Sequence, residues 1–176
     1  PSPGQEWYSD LLFELASETK TGFIVELGAY HGRGTITLAR GSRVGHGARV
    51  YTIDDFAYRK DWLGERVYGP PDKEVFKANI KRANVEITLI HKEISEAAKT
   101  WNEPIGLLLW DISAKGRFWT DWLEWGKHIV SGGVAVIKDS DSGYCGTLPH
   151  IERILKSGAF EVRNSLRTGV MVLRKK

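Results

Sequence analysis

The chain has 176 residues, of which 41% are hydrophobic and 27% charged, the balance of an ordinary globular protein. No apolar run approaches the roughly 18 residues of a membrane span, and the length suits one domain across residues 1–176. The net charge of +3 is spread over scattered Lys and Arg residues, which permits a nucleic-acid partner without arguing for one, and the single Cys145 excludes an internal disulfide and a cysteine-rich zinc site.

The sequence begins at Pro1 with no Met and no charged-then-apolar leader, so a trimmed end and a cytoplasmic location are expected. Within an N-terminal segment over residues 1–20, Glu6 to Ala16 carries Trp7, Leu11 and Leu15 at helical spacing and predicts an amphipathic helix packed on a sheet. Phe23, Ile24, Val25 and Leu27 then form an apolar run of the kind that is buried on both faces of a parallel sheet. Glu26 interrupts the run. A carboxylate there requires a partner or a ligand. Gly28, Gly32 and Gly34 allow a tight turn with close backbone approach, and the segment from Thr35 to Gly41 reads as the following helix. Ala48 to Asp54 predicts a second strand that ends in an acid. About 20 residues beyond a glycine turn, such an acid is placed to accept hydrogen bonds from the ribose of an adenosine ligand. Asp55 follows it, as a loop cap or a second contact.

Residues 56–71 are polar, aromatic and glycine-bearing, including Tyr58 and Trp62, and read as a lid-like insert. Pro70-Pro71-Asp72 opens a helix whose buried stripe is expected to be Val75, Phe76, Ile80 and Ala83. A third strand is predicted over Val85–Ile90, with a helix after His91. The fourth, Ile105–Asp111, is apolar at five of its first six positions, so Asp111 at its end needs a role. Phe118, Trp122, Trp125 and Ile129 lie on one helical face and are expected in the core. A strand over Ser131–Asp139, a helix from Leu148 to Ser157, and strands at Phe160 and Gly169–Arg174 complete the chain.

The glycines run G-x-x-x-G-x-G rather than the G-x-G-x-x-G of dinucleotide enzymes. Glu26-x-Gly28-x-x-x-Gly32 resembles the first motif of class I S-adenosylmethionine methyltransferases. Ile53-Asp-Asp-Phe56, a tryptophan-bearing insert, and Phe76-x-x-Asn79 on the next helix resemble their small-molecule O-methyltransferase branch, related to sugar and catechol O-methyltransferases. The resemblance implies a Rossmann-like α/β fold with seven strands, mostly parallel, helices on both faces and one antiparallel strand near the C-terminus. It also implies that S-adenosylmethionine lies over the turn formed by Glu26, Gly28, Ala29, Tyr30, Gly32 and Thr35. Asp54 and Asp55 then fall near its ribose and Glu93 and Ile94 near its adenine. Asp111 falls at the methyl-transfer site.

In metal-dependent members of that branch an acid ends strand four, and an acid with a polar neighbour ends strand five. Asp111, Asp139 and Ser140 match those positions, and their hard oxygens suit Mg²⁺ or Ca²⁺. The match is incomplete, since Ser140 replaces an amide and Ser113 and a displaced Lys115 stand where a histidine and a lysine are expected. Without a metal, His31 or His150 is the candidate base. A rival resemblance, to RNA ribose 2′-O-methyltransferases, rests on Asp111 and Lys138 but lacks the final glutamate of that family. A cofactor-binding domain that has lost catalysis is the third reading. The first implies a small-molecule acceptor, in view of the branch a sugar, with no membrane partner; a homo-oligomer stays open.

Overall fold

The computed structural model describes residues 6–60, 67–112, 117–138, 140, 147–166 and 169–176, with backbone alone at 165 and 166. Its centre is a seven-stranded sheet. From one edge to the other, β5 (Thr88–Ile90), β2 (Val50–Ile53), β1 (Phe23–Leu27), β6 (Ile105–Trp110) and β7 (Ile129–Lys138) run parallel. β9 (Val170–Lys175) is inserted antiparallel between β7 and the edge strand β8 (Phe160–Leu166). The fold is thus the α/β, Rossmann-like, mostly parallel sheet that the resemblance implies.

Burial on both faces explains why β1 and β6 read as continuous apolar runs. All six residues of β6 are buried. Leu107 and Leu109 pack toward α1 (Glu6–Glu18) and α2 (Arg33–Val44), while Leu108 and Trp110 pack toward α4 (Ile94–Ala98), α5 (Phe118–Gly126) and α6 (Leu148–Lys156). The expected aromatic face of α5 sits on that second side, with Phe118, Trp122 and Trp125 buried, but the helix ends at Gly126, so Ile129 joins them from the start of β7 and not from the helix. Each large side chain so buried contributes about 1.5–3 kcal/mol of transfer free energy.

Three expectations are corrected. Helix α1 buries Leu12 and Ala16 beside the expected Leu15, with Trp7 and Leu11 only partly buried against the same cluster, and it lies against α2 so closely that a Cβ on Gly41 would come within 2.3 Å of the Phe13 carbonyl. Helix α3 (Pro70–Ala83) buries only Phe76, and Val75 is 41% exposed. That helix covers a small cluster of Ala29, Phe56 and Phe76 between the glycine turn and the sheet edge, with Ile80 and the β5 residue Leu89 packed against it, so one fully buried anchor suffices. The third predicted strand is reduced to Thr88–Ile90 because it pairs on one side only, with β2. In the 56–71 insert, β3 (Arg59–Lys60) and β4 (Val67–Tyr68) form an antiparallel pair. Tyr58 is exposed, and Trp62 lies outside the described residues.

The connection from β1 runs to β2 on one side of the sheet, whereas β6 lies on the other. The carboxyl ends of β1 and β6 therefore flank the point where strand order reverses, which is where open α/β sheets bind ligands. Gly28 closes β1 there with φ +94, and a Cβ on it would stand 2.4 Å from the Asp111 carbonyl oxygen. Gly28→Ala is expected to lower unfolding free energy by about 2 kcal/mol or more, through both strained φ and backbone collision. Urea denaturation monitored by tryptophan fluorescence checks this, and an unchanged midpoint would refute the close β1–β6 approach.

Candidate active site

Strand alternation directs Glu26 to the same side as Ile24, under the first turn of α2, where protein hydroxyls rather than a ligand meet it. Its carboxyl is buried at 1% exposure. It accepts a hydrogen bond from Thr35 Oγ1 in α2 and one of 3.0 Å from Thr52 Oγ1 in β2. Gly34 makes room for it, since a Cβ there would lie 2.2 Å from Glu26 Oε1. Burial drives the Glu26 pKa up to about 8, against the lowering effect of both hydroxyls, and the charges of Asp111 and Asp54 push it further in the same direction. Near neutral pH this carboxyl is therefore largely protonated. Thr52 was not among the predicted site residues, although its place opposite Glu26 in the β1–β2 register is the signal that finds it.

Asp54 holds the turn from the β2 side. Its Oδ2 accepts from the backbone N–H groups of Ala29 at 2.8 Å and Tyr30 at 3.2 Å, and its Oδ1 from that of Phe56 at 2.8 Å. A carboxylate offers about four acceptor positions, so these three bonds leave room for one more donor. Asp55 points elsewhere: both of its oxygens take the Arg59 guanidinium, at 2.6 and 2.7 Å, and that bond holds its carboxyl below the usual range. Beside it His91 accepts from Lys73 Nζ at 2.8 Å and donates to the Asp55 carbonyl at 2.9 Å, which fixes the ring proton on Nε2.

Tyr30 continues the turn with φ 46 and stacks on His31, their ring centroids 3.7 Å apart. His31, a candidate base in the sequence reading, is held by α3. Its Nε2 pairs with Asp72 Oδ1 at 2.8 Å, and Asn79 Nδ2 donates to its carbonyl at 2.9 Å. Asp72 is thus the partner that the sequence reading missed, 41 positions away. Gly32 caps α2 against Phe76, whose ring a Cβ at that position would approach to 2.9 Å. The second candidate base, His150, stacks on Phe118 and Trp119 in the aromatic layer of α5.

At the β5 side, Glu93 caps α4 by accepting from Ser95 N at 3.0 Å and from the Ser95 hydroxyl, and it takes Arg117 Nη2 at 2.9 Å. Partial burial disfavours its charge, but the Ser95 bonds and Arg117 outweigh that and keep its pKa low. Ile94 follows at the first position of α4. Arg117 also reaches the buried Asp121 at 3.5 Å. Neither Arg117 nor Asp121 was singled out in the sequence. They line, with Ser95, Lys99 and Glu124, a cavity of about 570 Å³ between α4 and α5 that contains neither Asp111 nor the glycine turn.

The crevice itself is bounded by the ends of β6 and β7. Asp111 N donates to the Leu27 carbonyl at 3.0 Å, which locks the residue beside the turn. Lys138 Nζ donates to Asp111 Oδ1 at 2.7 Å. Of the three residues expected to hold a divalent ion, Asp139 lies outside the described residues, and Ser140 is 4% exposed, its backbone N–H bonded to the Gly169 carbonyl at 2.8 Å. No group of three or more His, Cys, Asp or Glu residues placed to hold a metal occurs among the described residues. An ammonium on the one described acid does not fit a hard dication at the same oxygen, because the two positive charges would share it. Likewise, no helix among the described residues is long and apolar enough to cross a membrane.

A family model described as a methyltransferase domain matches residues 25–140. No curated protein matches the chain in sequence. Among solved structures, SAH-bound methyltransferase PaMTH1 of Podospora anserina superposes with a TM-score of 0.74 at 16% identity, over 96% of this chain and 78% of that one. The O-methyltransferase from Bacillus cereus in complex with SAH gives 0.71 at 17% identity, over 99% and 82%. Apo CalS11, a TDP-rhamnose 3′-O-methyltransferase in calicheamicin biosynthesis, gives 0.67 at 19%, over 96% and 77%. At such identities the likeness establishes the shared fold.

The raised pKa of Glu26 has a stability consequence with a definite sign. The folded chain holds this proton more tightly than the unfolded one, so stability is greatest below the unfolded value of 4.5 and declines as pH rises toward about 8. Relative to Glu26→Gln, the wild type is expected to lose ~2–4 kcal/mol between about pH 5 and about pH 8.5. Denaturant titrations of both proteins across that range measure it; parallel curves would mean that the carboxyl is not desolvated.

Proposed function

We propose that this chain, which belongs to the methyltransferase-domain family, transfers a methyl group from S-adenosylmethionine to a hydroxyl of a small molecule, with a sugar as the acceptor class of first choice. One observation carries the reading. Acids from β1, β2 and β6 converge on a single glycine turn at the switch point of the sheet, with Asp54 holding the turn's amides, Glu26 beneath it and Asp111 beside it. With Glu26 neutral and Asp111 paired to Lys138, an adenosine ligand on this turn would meet a spare acceptor position on Asp54 and a glycine backbone that allows close approach. Two of the similar structures are described as SAH-bound, and CalS11 as acting on a rhamnose hydroxyl, which supports the cofactor and the direction of transfer.

In this reading the methionine part lies along Gly28, Ala29, Tyr30, Gly32 and Thr35, over the protonated Glu26. The fourth acceptor position of Asp54 takes a ribose hydroxyl, and Asp55 shapes the same rim through Arg59. Glu93 and Ile94 border the adenine. Because Glu93 already holds Ser95 and Arg117, it acts there mainly by fixing the wall. The cofactor supplies the reactive methyl group, so the protein's work is alignment and proton management. As the acceptor oxygen bonds to the methyl carbon, the carbon–sulfur bond breaks to leave a neutral thioether, and the hydroxyl proton passes to the Asp111 carboxylate. His31, tied to Asp72, serves the turn and not this proton. Asp111 and Lys138 also satisfy two positions of the RNA ribose 2′-O reading, so oligoribonucleotides belong in the acceptor panel beside sugars and catechols.

Isothermal titration with S-adenosylhomocysteine and with NAD is expected to show saturable binding of the first alone. Asp54→Ala should weaken it at least about tenfold, whereas Asp111→Ala should change it less than about threefold while abolishing transfer to any acceptor found in the panel. Equal weakening by both substitutions in folded protein would show that Asp111 belongs to cofactor binding instead. Binding of NAD alone would remove the methyltransferase reading.

A further inference from the structure

Asp111 and Lys138 stand at the ends of adjacent parallel strands. The pairing of Trp110 with Ile137 in β6 and β7 makes them the next partners in register, and their side chains meet at 2.7 Å. Both remain partly open, at 27% and 39% side-chain exposure. The pair therefore faces the crevice and is not sealed in the core. In the metal-dependent branch that the sequence resembles, the acid in the place of Asp111 would hold a dication. Here the described neighbour of that acid is an ammonium, and Ser140 is turned into the protein, buried at 4% exposure.

We infer that the Lys138 ammonium takes the place of a divalent cation at Asp111, so that the chain transfers methyl groups without one. This rests on the S-adenosylmethionine reading above. A fixed ammonium can do part of a dication's work. It orients the acceptor oxygen next to Asp111 and stabilises the negative charge that develops there as the proton leaves. No proton is lost from the amine in this scheme: the acceptor's proton goes to Asp111, Lys138 stays charged, and the positive charge of the sulfonium is cancelled as the thioether forms. The charges of the cofactor, the acceptor, Asp111 and Lys138 therefore balance across the step. A lysine also orients without demanding octahedral coordination, so the acceptor can be held through one oxygen, whereas a dication in such sites is suited to two neighbouring oxygens.

The experiment uses the full chain saturated with S-adenosylhomocysteine. Mn²⁺ is titrated in and followed by the electron paramagnetic resonance signal of the free ion, for wild type and for Lys138→Met. Wild type is expected to hold no Mn²⁺ at micromolar concentration, and EDTA should leave the S-adenosylhomocysteine affinity unchanged. A wild-type complex that takes up one Mn²⁺ per chain at micromolar concentration, with S-adenosylhomocysteine binding intact, overturns the inference and leaves the cofactor reading standing. Failure of folded protein to bind S-adenosylhomocysteine overturns the cofactor reading, and this inference with it. Competitive acetylation read by mass spectrometry supplies a second test. Asp111→Asn should raise the reactivity of Lys138 at least about threefold by removing the charge that holds its proton. Unchanged reactivity would show that the pair does not form, and would overturn the inference on its own.

Discussion

A carboxyl group without access to water fixes the geometry of this fold. Glu26 is sealed between β1, β2 and the first turn of α2, so its carboxyl must be met by protein donors, and the hydroxyls of Thr35 and Thr52 both donate to its Oε2. Each requirement propagates. Gly34 must lack a side chain for the carboxyl to reach under α2, and Gly28 must take a left-handed conformation for the chain to clear the end of β6. The turn is then gripped a second time, from the β2 side, by two backbone N–H bonds to Asp54, whose own orientation a third, from Phe56, fixes. A loop held from below and from one side has little freedom left to lose when a ligand settles on it, which lowers the ordering cost of binding.

The charges around that loop are distributed with a consistent sense. Glu26 is kept neutral by burial, which spares the site a third negative charge next to Asp54 and Asp111. Two acids further out, Asp55 and Glu93, are each discharged by an arginine, Arg59 and Arg117. At the exposed rim such pairs contribute little stability, about 0–1 kcal/mol. Nearer the turn the same matching continues: Asp111 carries the Lys138 ammonium and Asp54 the backbone N–H groups of Ala29 and Tyr30.

Much of this architecture was legible in the chain because burial on two faces leaves a one-dimensional trace. β1 and β6 read as apolar runs since a central strand buries both faces and accepts a polar group such as Glu26 only where donors meet it, and the aromatic face of α5 repeats at helical spacing because it too is buried. The destination of Glu26 was not legible. Period-two alternation says that it shares a face with Ile24, but only the packing of α2 tells which end of which helix waits there. The register of β1 with β2, which sets Thr52 opposite Glu26, is a three-dimensional fact of the same kind. Helix α3 was read too broadly because an amphipathic pattern shows that a stripe exists without showing what it covers; the small cluster beside the turn buries Phe76, takes Ile80 in part and leaves Val75 exposed. His31 invited a catalytic role through its position in the motif, and its pairing with Asp72 depends on a helix start 41 residues away.

The pairing of Asp111 with Lys138 shows how a sheet turns sequence-distant residues into chemistry. Parallel neighbours are about 4.8 Å apart, so whatever residues follow Trp110 and Ile137 must interact across that gap. Two acids there would repel and call for a cation from solution; an acid and an amine satisfy each other. With Lys138 at that position, the end of β6 meets a positive charge supplied by the neighbouring strand. Because both residues sit one step beyond a fully buried stretch of strand, their backbones are fixed by the sheet while their side chains stay within reach of a ligand. Rigid support under a partly open charged pair is the condition under which a small displacement of the acceptor oxygen is costly, and alignment, which is the protein's main contribution to methyl transfer, depends on that cost.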